Sequence, residues 1–186
     1  MIAAGFGASL GRDGVTFRLW APAAKRVNVM LDTPHDMQRL DNGWFAATVA
    51  VATAGSRYRF RIDDEVQIPD PASCYQPEGV FGPSEVIDHT TYRWRATEWR
   101  GRPWEEAIVL EAHVGTFTAA GTYRAMVEKL DHLVATGITA LELMPLADFS
   151  GQRNWGYDGV LWYAPAGVYG RPDDLKALID EAHLRG

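Results

Sequence analysis

Short runs of alternating apolar and polar residues characterise the N-terminal half of the chain. Residues 14–20 and 58–63 both alternate, and in the first run Val15, Phe17 and Leu19 fall on one face of an extended strand. Further apolar runs follow at similar intervals, with turn residues and no helical period between them. This pattern predicts a small antiparallel β-sandwich.

Two turn-rich segments divide these predicted strands. Asn42-Gly43 is a strong hairpin signal and leads into a predicted strand over residues 44–52. Residues 68–83 contain four prolines and two glycines, but they also contain aromatic residues and little serine. Because flexible linkers are rich in glycine and serine, this composition predicts an ordered connector.

The pattern changes after Glu106 and predicts the order β-α-β-α. Residues 108–114 are almost continuously apolar, as is typical of a buried parallel strand, and residues 138–144 predict a second one. Between them, Thr122 is a suitable N-cap and Gly137 a suitable terminator for a helix. The apolar positions of this predicted helix are Met126, Val127, Leu130, Leu133 and Val134.

A long loop over residues 146–171 follows the second predicted strand, and Pro172 then begins a second helix. Two parallel strands and two helices make a small core with two open sheet edges. We therefore interpret residues 96–186 as the beginning of a larger repeating β/α domain, and residues 1–95 as a separate sandwich domain. The alternative is a complete but unusual protein of 186 residues.

Charge and composition narrow the possible partners. The formal net charge is −6 and lysine and arginine do not cluster, which argues against a nucleic-acid partner. No apolar stretch approaches the roughly 20 residues that span a bilayer, and the N-terminus lacks the pattern of a signal peptide. The single cysteine, Cys74, cannot form an internal disulfide. We expect a soluble, cytoplasmic protein with no nucleic-acid or membrane partner.

No cofactor or metal site is predicted. His35, His89, His132 and His183 do not have the spacing of metal ligands, either with one another or with the cysteine. Cys74 has no basic residue close to it in sequence that would activate its thiol, so we expect it to be inert.

Aromatic residues are frequent, with seven each of Trp, Tyr and Phe. Aromatic faces suit sugar rings, but the same side chains also fill β-sandwich cores. Trp20 and Trp44 lie opposite the apolar faces of their predicted strands. Exposed, coplanar rings of these two residues and Trp94 would indicate a sugar platform, whereas burial would indicate core packing.

Several segments are similar to a known enzyme family. They are residues 14–22 (Gly-Val-Thr-Phe-Arg-Leu-Trp-Ala-Pro), 111–117 (Glu-Ala-His-Val-Gly-Thr-Phe), 141–145 (Leu-Glu-Leu-Met-Pro), 154–159 (Asn-Trp-Gly-Tyr-Asp-Gly) and 169–175 (Tyr-Gly-Arg-Pro-Asp-Asp-Leu). Together they resemble the N-terminal part of the α-amylase family of glycoside hydrolases. The resemblance implies an immunoglobulin-like β-sandwich followed by the first two β/α units of a (β/α)8 (TIM) barrel.

The connector, residues 70–84 (Asp-Pro-Ala-Ser-Cys-Tyr-Gln-Pro-Glu-Gly-Val-Phe-Gly-Pro-Ser), resembles the members of this family that release trehalose from malto-oligosyltrehalose. The chain departs from the family pattern at several positions: Ala112 replaces a leucine, Cys74 and Phe81 stand in place of an arginine and a histidine, and residues 166–168 (Ala-Gly-Val) are not the usual sequence. The resemblance implies cleavage of the α-1,4-glucosidic bond next to the trehalose unit by a retaining, two-carboxylate mechanism.

The same resemblance implies that both catalytic carboxylates lie beyond Gly186. We therefore expect no catalytic residue within this chain and no hydrolysis by the chain alone. The implied partners are a malto-oligosaccharide or malto-oligosyltrehalose substrate and the remainder of the barrel. The alternatives are part of a glycogen branching or debranching enzyme, and a glucan-binding module without catalysis.

Four residues of one loop are the candidates for binding substrate. Tyr157 matches the family's aromatic residue that stacks on the sugar at the cleaved position. Asp158 could bind sugar hydroxyls or cap the loop, and the sequence leaves both roles open. Asn154 and Trp155 belong to the same motif, although a role in loop structure fits them better.

A polar group on the predicted parallel strands is a further candidate. Glu111 and His113 lie two residues apart on one strand and so share a face, and Glu142 occupies the comparable level of the next strand. A carboxylate beside a histidine suits acid–base chemistry. We favour a structural polar network in which these side chains satisfy one another.

Overall fold

The computed structural model describes residues 5–186, and its N-terminal part is a sandwich of two antiparallel sheets. The first sheet has the spatial order β1 (Gly7–Gly11), β2 (Gly14–Trp20), β6 (Trp44–Val49) and β5 (Gln38–Arg39). The second has the order β4 (Pro34–Asp36), β3 (Val27–Met30), β7 (Arg57–Ile62) and β8 (Val66–Ile68), and β9 (Ser84–Glu85) also pairs with β7. The predicted β-sandwich is confirmed.

The core of the sandwich lies between the alternating faces of the two sheets. Val15, Phe17 and Leu19 of β2 are buried on one side, as their alternation predicts. Tyr58 and Phe60 of β7 are buried on the other. The rings of Phe17 and Tyr58 meet edge to face with their centroids 4.7 Å apart, a favoured aromatic geometry, so the two sheets interlock.

The tight turn before β6 needs residues that accept a positive φ. Asn42 and Gly43 have φ values of 58° and 81°, which confirms the predicted turn. A Cβ atom on Gly43 would come within 2.6 Å of the Cα atom of Pro22. This position therefore requires glycine both for its backbone angle and for the close approach of a neighbouring segment.

The proline-rich connector, residues 68–83, is packed against the sandwich. Asp70 is almost fully buried, and its carboxylate accepts hydrogen bonds from the Tyr58 hydroxyl (2.6 Å) and from the Ala72 amide (2.8 Å). Its own amide donates to the Ser84 hydroxyl. Burial raises the pKa of Asp70 to about 6, although these donors oppose the rise.

The C-terminal part contains a parallel strand pair, an antiparallel strand pair and several helices. In chain order its elements are β10 (Val109–Ala112), α1 (Val114–Phe117), α2 (Tyr123–Val127), α3 (Leu130–Ala135), β11 (Ala140–Leu143), β12 (Ala147–Asp148), β13 (Leu161–Pro165) and α4 (Pro172–Leu184). Strands β10 and β11 are parallel, and β12 and β13 are antiparallel. Short 3-10 turns lie at Trp104–Glu106 and Gly167–Tyr169 in this part, and another precedes β6 of the sandwich at Asp41–Gly43. Within the described residues, no helix combines the length and hydropathy that crossing a bilayer requires.

The helix predicted between the parallel strands is in fact two short helices. At the break, the backbone amide of Lys129 donates to the carbonyl of Met126, three residues earlier. An α-helix would pair residues four apart, so the chain is wound more tightly here. Thr122 caps α2 as predicted by accepting a hydrogen bond from the Ala125 amide. Val134, predicted on the apolar face, is 51% exposed, whereas Leu130 and Leu133 of the same helix are buried as predicted.

The first parallel strand is shorter and more exposed than predicted. It ends at Ala112, and His113 becomes the N-cap of α1. Leu110 and Ala112 pack against the helices, but Val109, on the opposite face, is 46% exposed. The prediction of a fully buried strand is therefore wrong for the described chain, because the helices cover only one face of the two-stranded sheet.

The two parts of the chain are joined by polar contacts. Asp180 of α4 is fully buried, and its carboxylate accepts hydrogen bonds from the amides of Arg95 and Ala96 and from the Tyr92 hydroxyl. Burial alone raises the pKa of Asp180, but these donors outweigh it and the net shift is downward. In addition, Arg171, the N-cap residue of α4, pairs with Glu85 of β9. Residues on both sides of the boundary are thus joined by α4 and its N-cap.

Candidate functional site

The candidate site forms where the two parallel strands end. Residues 109–112 pair in register with residues 140–143, so both strands finish at the same edge of the sheet. His113 follows the first strand and Met144 follows the second. The carboxyl edge of parallel strands is where α/β proteins commonly place their binding loops. Here the long loop predicted over residues 146–171 returns to this edge and contains the β12–β13 hairpin.

Asn154 holds this loop to the sheet edge. Its Oδ1 atom accepts hydrogen bonds from the Tyr169 hydroxyl (2.9 Å) and from the Gly156 amide (3.2 Å), and it lies 2.9 Å from Nε2 of His113. Because Oδ1 is an acceptor, this contact places the His113 proton on Nε2. One side chain thus connects the end of β10, the long loop and the segment that precedes α4.

Tyr169 is a member of this cluster that sequence reasoning did not assign to the site. Its ring is almost fully buried and contacts His113, Tyr123 and Phe149. Burial raises its pKa, so the hydroxyl remains a hydrogen-bond donor at neutral pH. Tyr169 belongs to segment 169–175, which resembles the family, and this was the only sequence signal for a role at the site. That segment did not indicate a contact with His113.

Gly156 allows the loop to pass close to the sheet edge. Its φ is +93°, and a Cβ atom there would lie 2.7 Å from Met144 Cε and 3.3 Å from His113 Cδ2. Directly beside it, Asp158 Oδ2 accepts a hydrogen bond from the Trp155 amide at 2.9 Å. Asp158 therefore acts as a loop cap in this structure, one of the two roles that the sequence left open.

The loop presents two aromatic side chains to solvent. Trp155 is 86% exposed and Tyr157 is 70% exposed. Asp158 accepts a hydrogen bond from the Trp155 amide and Asn154 accepts one from the Gly156 amide, so the backbone that carries these rings is held in place. Exposed rings on a fixed backbone suit contact with the apolar face of a sugar, since little conformational freedom is lost on binding.

The structure does not bring together the predicted network of Glu111, His113 and Glu142. The two glutamates are neighbours in register, but both lie on the exposed face of the sheet. No hydrogen bond or ion pair of their side chains occurs within residues 5–186. The partners of His113 are Asn154 and Tyr169 instead. The predicted network is therefore wrong in this structure, because the exposed face of the β10–β11 pair leaves both carboxylates solvated.

The three tryptophans considered as a sugar-binding platform, Trp20, Trp44 and Trp94, are only partly exposed. Trp20 is 57% exposed, and its indole nitrogen donates to the carbonyl of Asn42. Trp44, its cross-strand neighbour, is half-buried and packs edge-on against Phe6 with centroids 4.9 Å apart. Trp94 packs in a similar way against Tyr92. The faces of Trp44 and Trp94 are thus partly used for contacts within the protein.

The remaining candidate groups show little sign of reactivity. Burial raises the pKa of the Cys74 thiol to about 11, so this thiol stays protonated at neutral pH. The ring of His183 stacks on Trp99 with centroids 3.7 Å apart. In the described part of the chain, no three His, Cys, Asp or Glu side chains gather as a metal site would require.

Comparisons with known proteins agree with this architecture. Residues 5–75 match the family described as carbohydrate-binding module 48 (isoamylase N-terminal domain). A crystal structure of a provisional alpha amylase from Salmonella typhimurium superposes with a TM-score of 0.94 and 49% sequence identity, over 97% of this chain and 31% of that one. The fold and the carbohydrate-binding module thus match the N-terminal region of α-amylase-type enzymes.

More particular relatives align with almost the whole chain. It is 42% identical over 183 residues to malto-oligosyltrehalose trehalohydrolase from Saccharolobus solfataricus, and 46% identical over 177 residues to that from Deinococcus radiodurans. These alignments cover 97% and 95% of this chain, but only 32% and 29% of the relatives. The chain is therefore similar to the N-terminal portion of malto-oligosyltrehalose trehalohydrolases and spans about a third of their length.

Proposed function

We propose that this chain is part of a glycoside hydrolase that acts on malto-oligosyltrehalose. The whole enzyme cleaves the α-1,4-glucosidic bond next to the trehalose unit and releases trehalose. It uses a retaining mechanism with two carboxyl groups, one as nucleophile and one as acid and base. Both are contributed by segments outside these 186 residues, and the enzyme works in the cytoplasm.

In this proposal residues 1–95 form the carbohydrate-binding-module-like domain, and residues 96–186 begin the catalytic (β/α)8 barrel. The parallel pair β10–β11 provides the first two barrel strands. Further strands of the barrel then cover the exposed face that carries Val109, Glu111 and Glu142. The parallel register and the helices on one face of the pair support this assignment, because each is a property of a β/α barrel.

The observation that carries the proposal is the loop at the carboxyl edge of the strands. Active sites of β/α barrels lie at this edge, and here the hydrogen bonds of Asn154 hold an exposed Tyr157 at that position. Tyr157 stacks against the sugar at the cleaved position. Trp155 supplies a second aromatic face, while Asn154 and Asp158 position the loop.

The proposal is tested with the longest open reading frame that contains this chain. Its product should release trehalose from maltotriosyltrehalose, measured by chromatography against a heat-killed control, while the 186-residue chain alone releases none. Tyr157→Ala in the long product should lower kcat/KM by about 100-fold, equivalent to about 2.7 kcal/mol of lost transition-state binding. Trp104→Ala, at an exposed position away from the loop, is the matched control.

Other products of the reaction would point to other functions. Transfer of glucan branches, or cleavage of α-1,6 bonds without release of trehalose, would replace the proposal with a branching or debranching enzyme. Binding of maltopentaose without turnover by the long product would indicate a glucan-binding protein. Equal activity of Tyr157→Ala and the unchanged enzyme would remove Tyr157 from the proposed site.

A further inference from the structure

An open cleft lies on the outer face of the first sheet, beside the turn that precedes β6. We call it the sheet cleft. Its walls are formed by Arg18, Gln38, Arg39, Leu40, Asp41 and Trp44, and its volume is about 450 Å³. Clefts of roughly 300–1,000 Å³ are typical of small-molecule sites. The sheet cleft belongs entirely to the sandwich.

The pairing register of the sheet explains why a cleft forms here. Ala46 of β6 lies opposite Arg18 of β2 and also opposite Gln38 of β5, so the three side chains form one row on the same face. Because the alanine side chain is short, it leaves the space between the two long side chains open. Trp44, two residues away along β6, shares this face and lines the cleft.

The polar groups of the cleft are accessible and have no partners in the protein. Gln38 and Asp41 are exposed, and Arg18 is partly exposed. Within residues 5–186, the side chains of these three residues form no ion pair and no hydrogen bond. The guanidinium of Arg39, in contrast, donates to two backbone carbonyls and is thus already engaged. Arg18, Gln38 and Asp41 therefore remain available to a ligand.

Trp44 adds an aromatic surface whose position is fixed. The guanidinium carbon of Arg18 lies 5.9 Å from the centre of its ring, and Phe6 contacts the same ring with centroids 4.9 Å apart. These contacts cover part of the indole, while the remainder lines the cleft. A ring that is held in advance loses little conformational freedom when a ligand binds.

Aromatic side chains continue from the sheet cleft toward the β/α part. Phe6 contacts Trp44 and also stacks on Tyr163 of β13, with centroids 6.5 Å apart and 19° between the ring planes. Trp162, the neighbour of Tyr163, is 78% exposed. The aromatic surface thus extends beyond the cleft itself, which favours an oligomeric ligand with repeated apolar faces over a single small molecule.

The chemistry of the walls indicates the class of ligand. Arg18 and Asp41 carry opposite charges, and with Arg39 engaged there is no excess charge that would select an ion. The guanidinium donates hydrogen bonds, the carboxylate accepts them, and the Gln38 amide does both. A neutral ligand whose groups both donate and accept suits this set. Sugar hydroxyls have this property, and a sugar ring also offers an apolar C–H face to Trp44.

We propose that the sheet cleft binds glucosyl units of an α-glucan, with Gln38, Asp41 and Arg18 hydrogen-bonding the hydroxyl groups. Trp44 contacts the apolar face of the sugar ring. The α-glucan class rests on the proposed function, whereas the location rests on the sheet register and on the accessible polar groups.

The test is an NMR titration of the ¹⁵N-labelled 186-residue chain with maltotriose. The amides of residues 38–46 and the indole N–H of Trp44 should shift together, with a Kd in the millimolar range. Trp44→Ala should raise this Kd by about fivefold or more, and Trp44→Phe, which keeps a ring, should restore most of the affinity. Trp104→Ala, at an exposed position outside the cleft, should leave the Kd unchanged.

A second variant covers the case in which Trp44→Ala perturbs the sandwich, since Trp44 also packs on Phe6. The double variant Gln38→Ala/Asp41→Ala changes only exposed side chains and should also raise the Kd by about fivefold or more. If Trp44→Ala does not fold, the double variant decides the question.

Three results would overturn the proposal. The first is an unchanged Kd in the double variant or in a folded Trp44→Ala. The second is shifts confined to residues 154–158 and abolished by Tyr157→Ala, which would leave the proposed function in place and remove the sheet cleft from it. The third is shifts of the cleft residues with sodium phosphate and none with maltotriose, because Arg18 would then belong to an anion site. Failure of the proposed function is recognised separately, as absence of trehalose release by the long product.

Discussion

The two parts of this molecule use apolar strands in different ways. In the sandwich, each sheet covers the apolar face of the other, and Val15, Phe17 and Phe60 are completely buried. In the β/α part, strands of similar apolar content have helices on one face only. Val109 and Ile108 remain about half exposed although their sequence is as apolar as that of any sandwich strand.

This difference shows that the burial of a strand is decided by the layers around it. The alternation in β2 and β7 already specifies which face is covered, because every second residue is polar. The near-continuous apolar run of β10 specifies two covered faces, of which the described chain supplies one. The comparison leads to four predictions, in decreasing order of expected effect.

The largest effect should come from removing a large side chain from the core of the sandwich. Phe60→Ala removes a fully buried ring that packs against Tyr58, and we expect it to lower the free energy of unfolding by about 3–5 kcal/mol. Val109→Ala in the open sheet should cost less than about 1 kcal/mol, because this side chain is 46% exposed. Urea unfolding followed by tryptophan fluorescence measures both. Equal losses would contradict the difference between the two parts.

A second effect should come from the buried carboxyl group that joins the connector to the sandwich. The pKa of Asp70 is raised to about 6 by burial, above its value of about 4 in the unfolded chain, so folding favours its protonated form. Its stabilising contribution is complete below about pH 4 and is lost as the pH rises through 6, by about 3 kcal/mol in total.

Asp70→Asn isolates this contribution, because the variant cannot titrate at this position. The difference in unfolding free energy between the protein and Asp70→Asn, measured from pH 4 to pH 7.5, should change by about 3 kcal/mol in favour of the variant. Parallel pH profiles of the two proteins would show that Asp70 does not hold a raised pKa.

A third effect should come from replacing two glycines where another segment passes close to the backbone, one in the sandwich and one in the β/α part. In Gly43→Ala the new Cβ atom meets the backbone of Pro22, which cannot move independently, and we expect a loss of about 2–3 kcal/mol. In Gly156→Ala it meets the flexible end of Met144 and lies 3.3 Å from His113 Cδ2, so we expect a smaller loss of about 1–2 kcal/mol, mainly through the positive φ. Thermal unfolding of both variants tests the order, and a larger loss at Gly156 would reverse it.

The smallest effect should come from a single helix cap in the β/α part. Thr122→Ala removes the acceptor of the Ala125 amide and should cost about 1 kcal/mol. Thr122→Ser keeps the hydroxyl and should restore most of that loss. Chemical unfolding measures the pair, and an equal loss in both variants would show that the methyl group, and not the cap, matters.

Much of the fold was predictable because its signals are local. The alternation around Val15 and Phe60, the Asn42-Gly43 turn and the Thr122 cap each depend on a few adjacent residues. The break at Lys129 was not predictable from the apolar spacing, since Met126, Leu130 and Leu133 follow a single helical stripe and are all buried. Helix continuity there is decided by how α2 and α3 pack, and that information is spread over distant residues.

The candidate site was predicted only in part, for the same reason. The loop motif identified Tyr157 and its neighbours, but it did not indicate that Asn154 is the centre of the cluster. Asn154 gains that role from His113 and Tyr169, which lie 41 and 15 residues away in sequence. The glutamates of the parallel strands were misjudged because a side chain's face follows from alternation, whereas its burial depends on the surrounding layers.

The buried Asp180 carboxylate also has a consequence for the order in which the protein is made. It accepts the amide hydrogen bond of Arg95, which precedes it by 85 residues. At a synthesis rate of about 5–20 residues per second, the ribosome needs roughly 4–17 s to pass from one to the other. During this interval the sandwich strands are already complete, whereas the segment around Arg95 lacks its acceptor. The amides of Arg95 and Ala96 can therefore take up their final hydrogen bonds only after α4 has been synthesised.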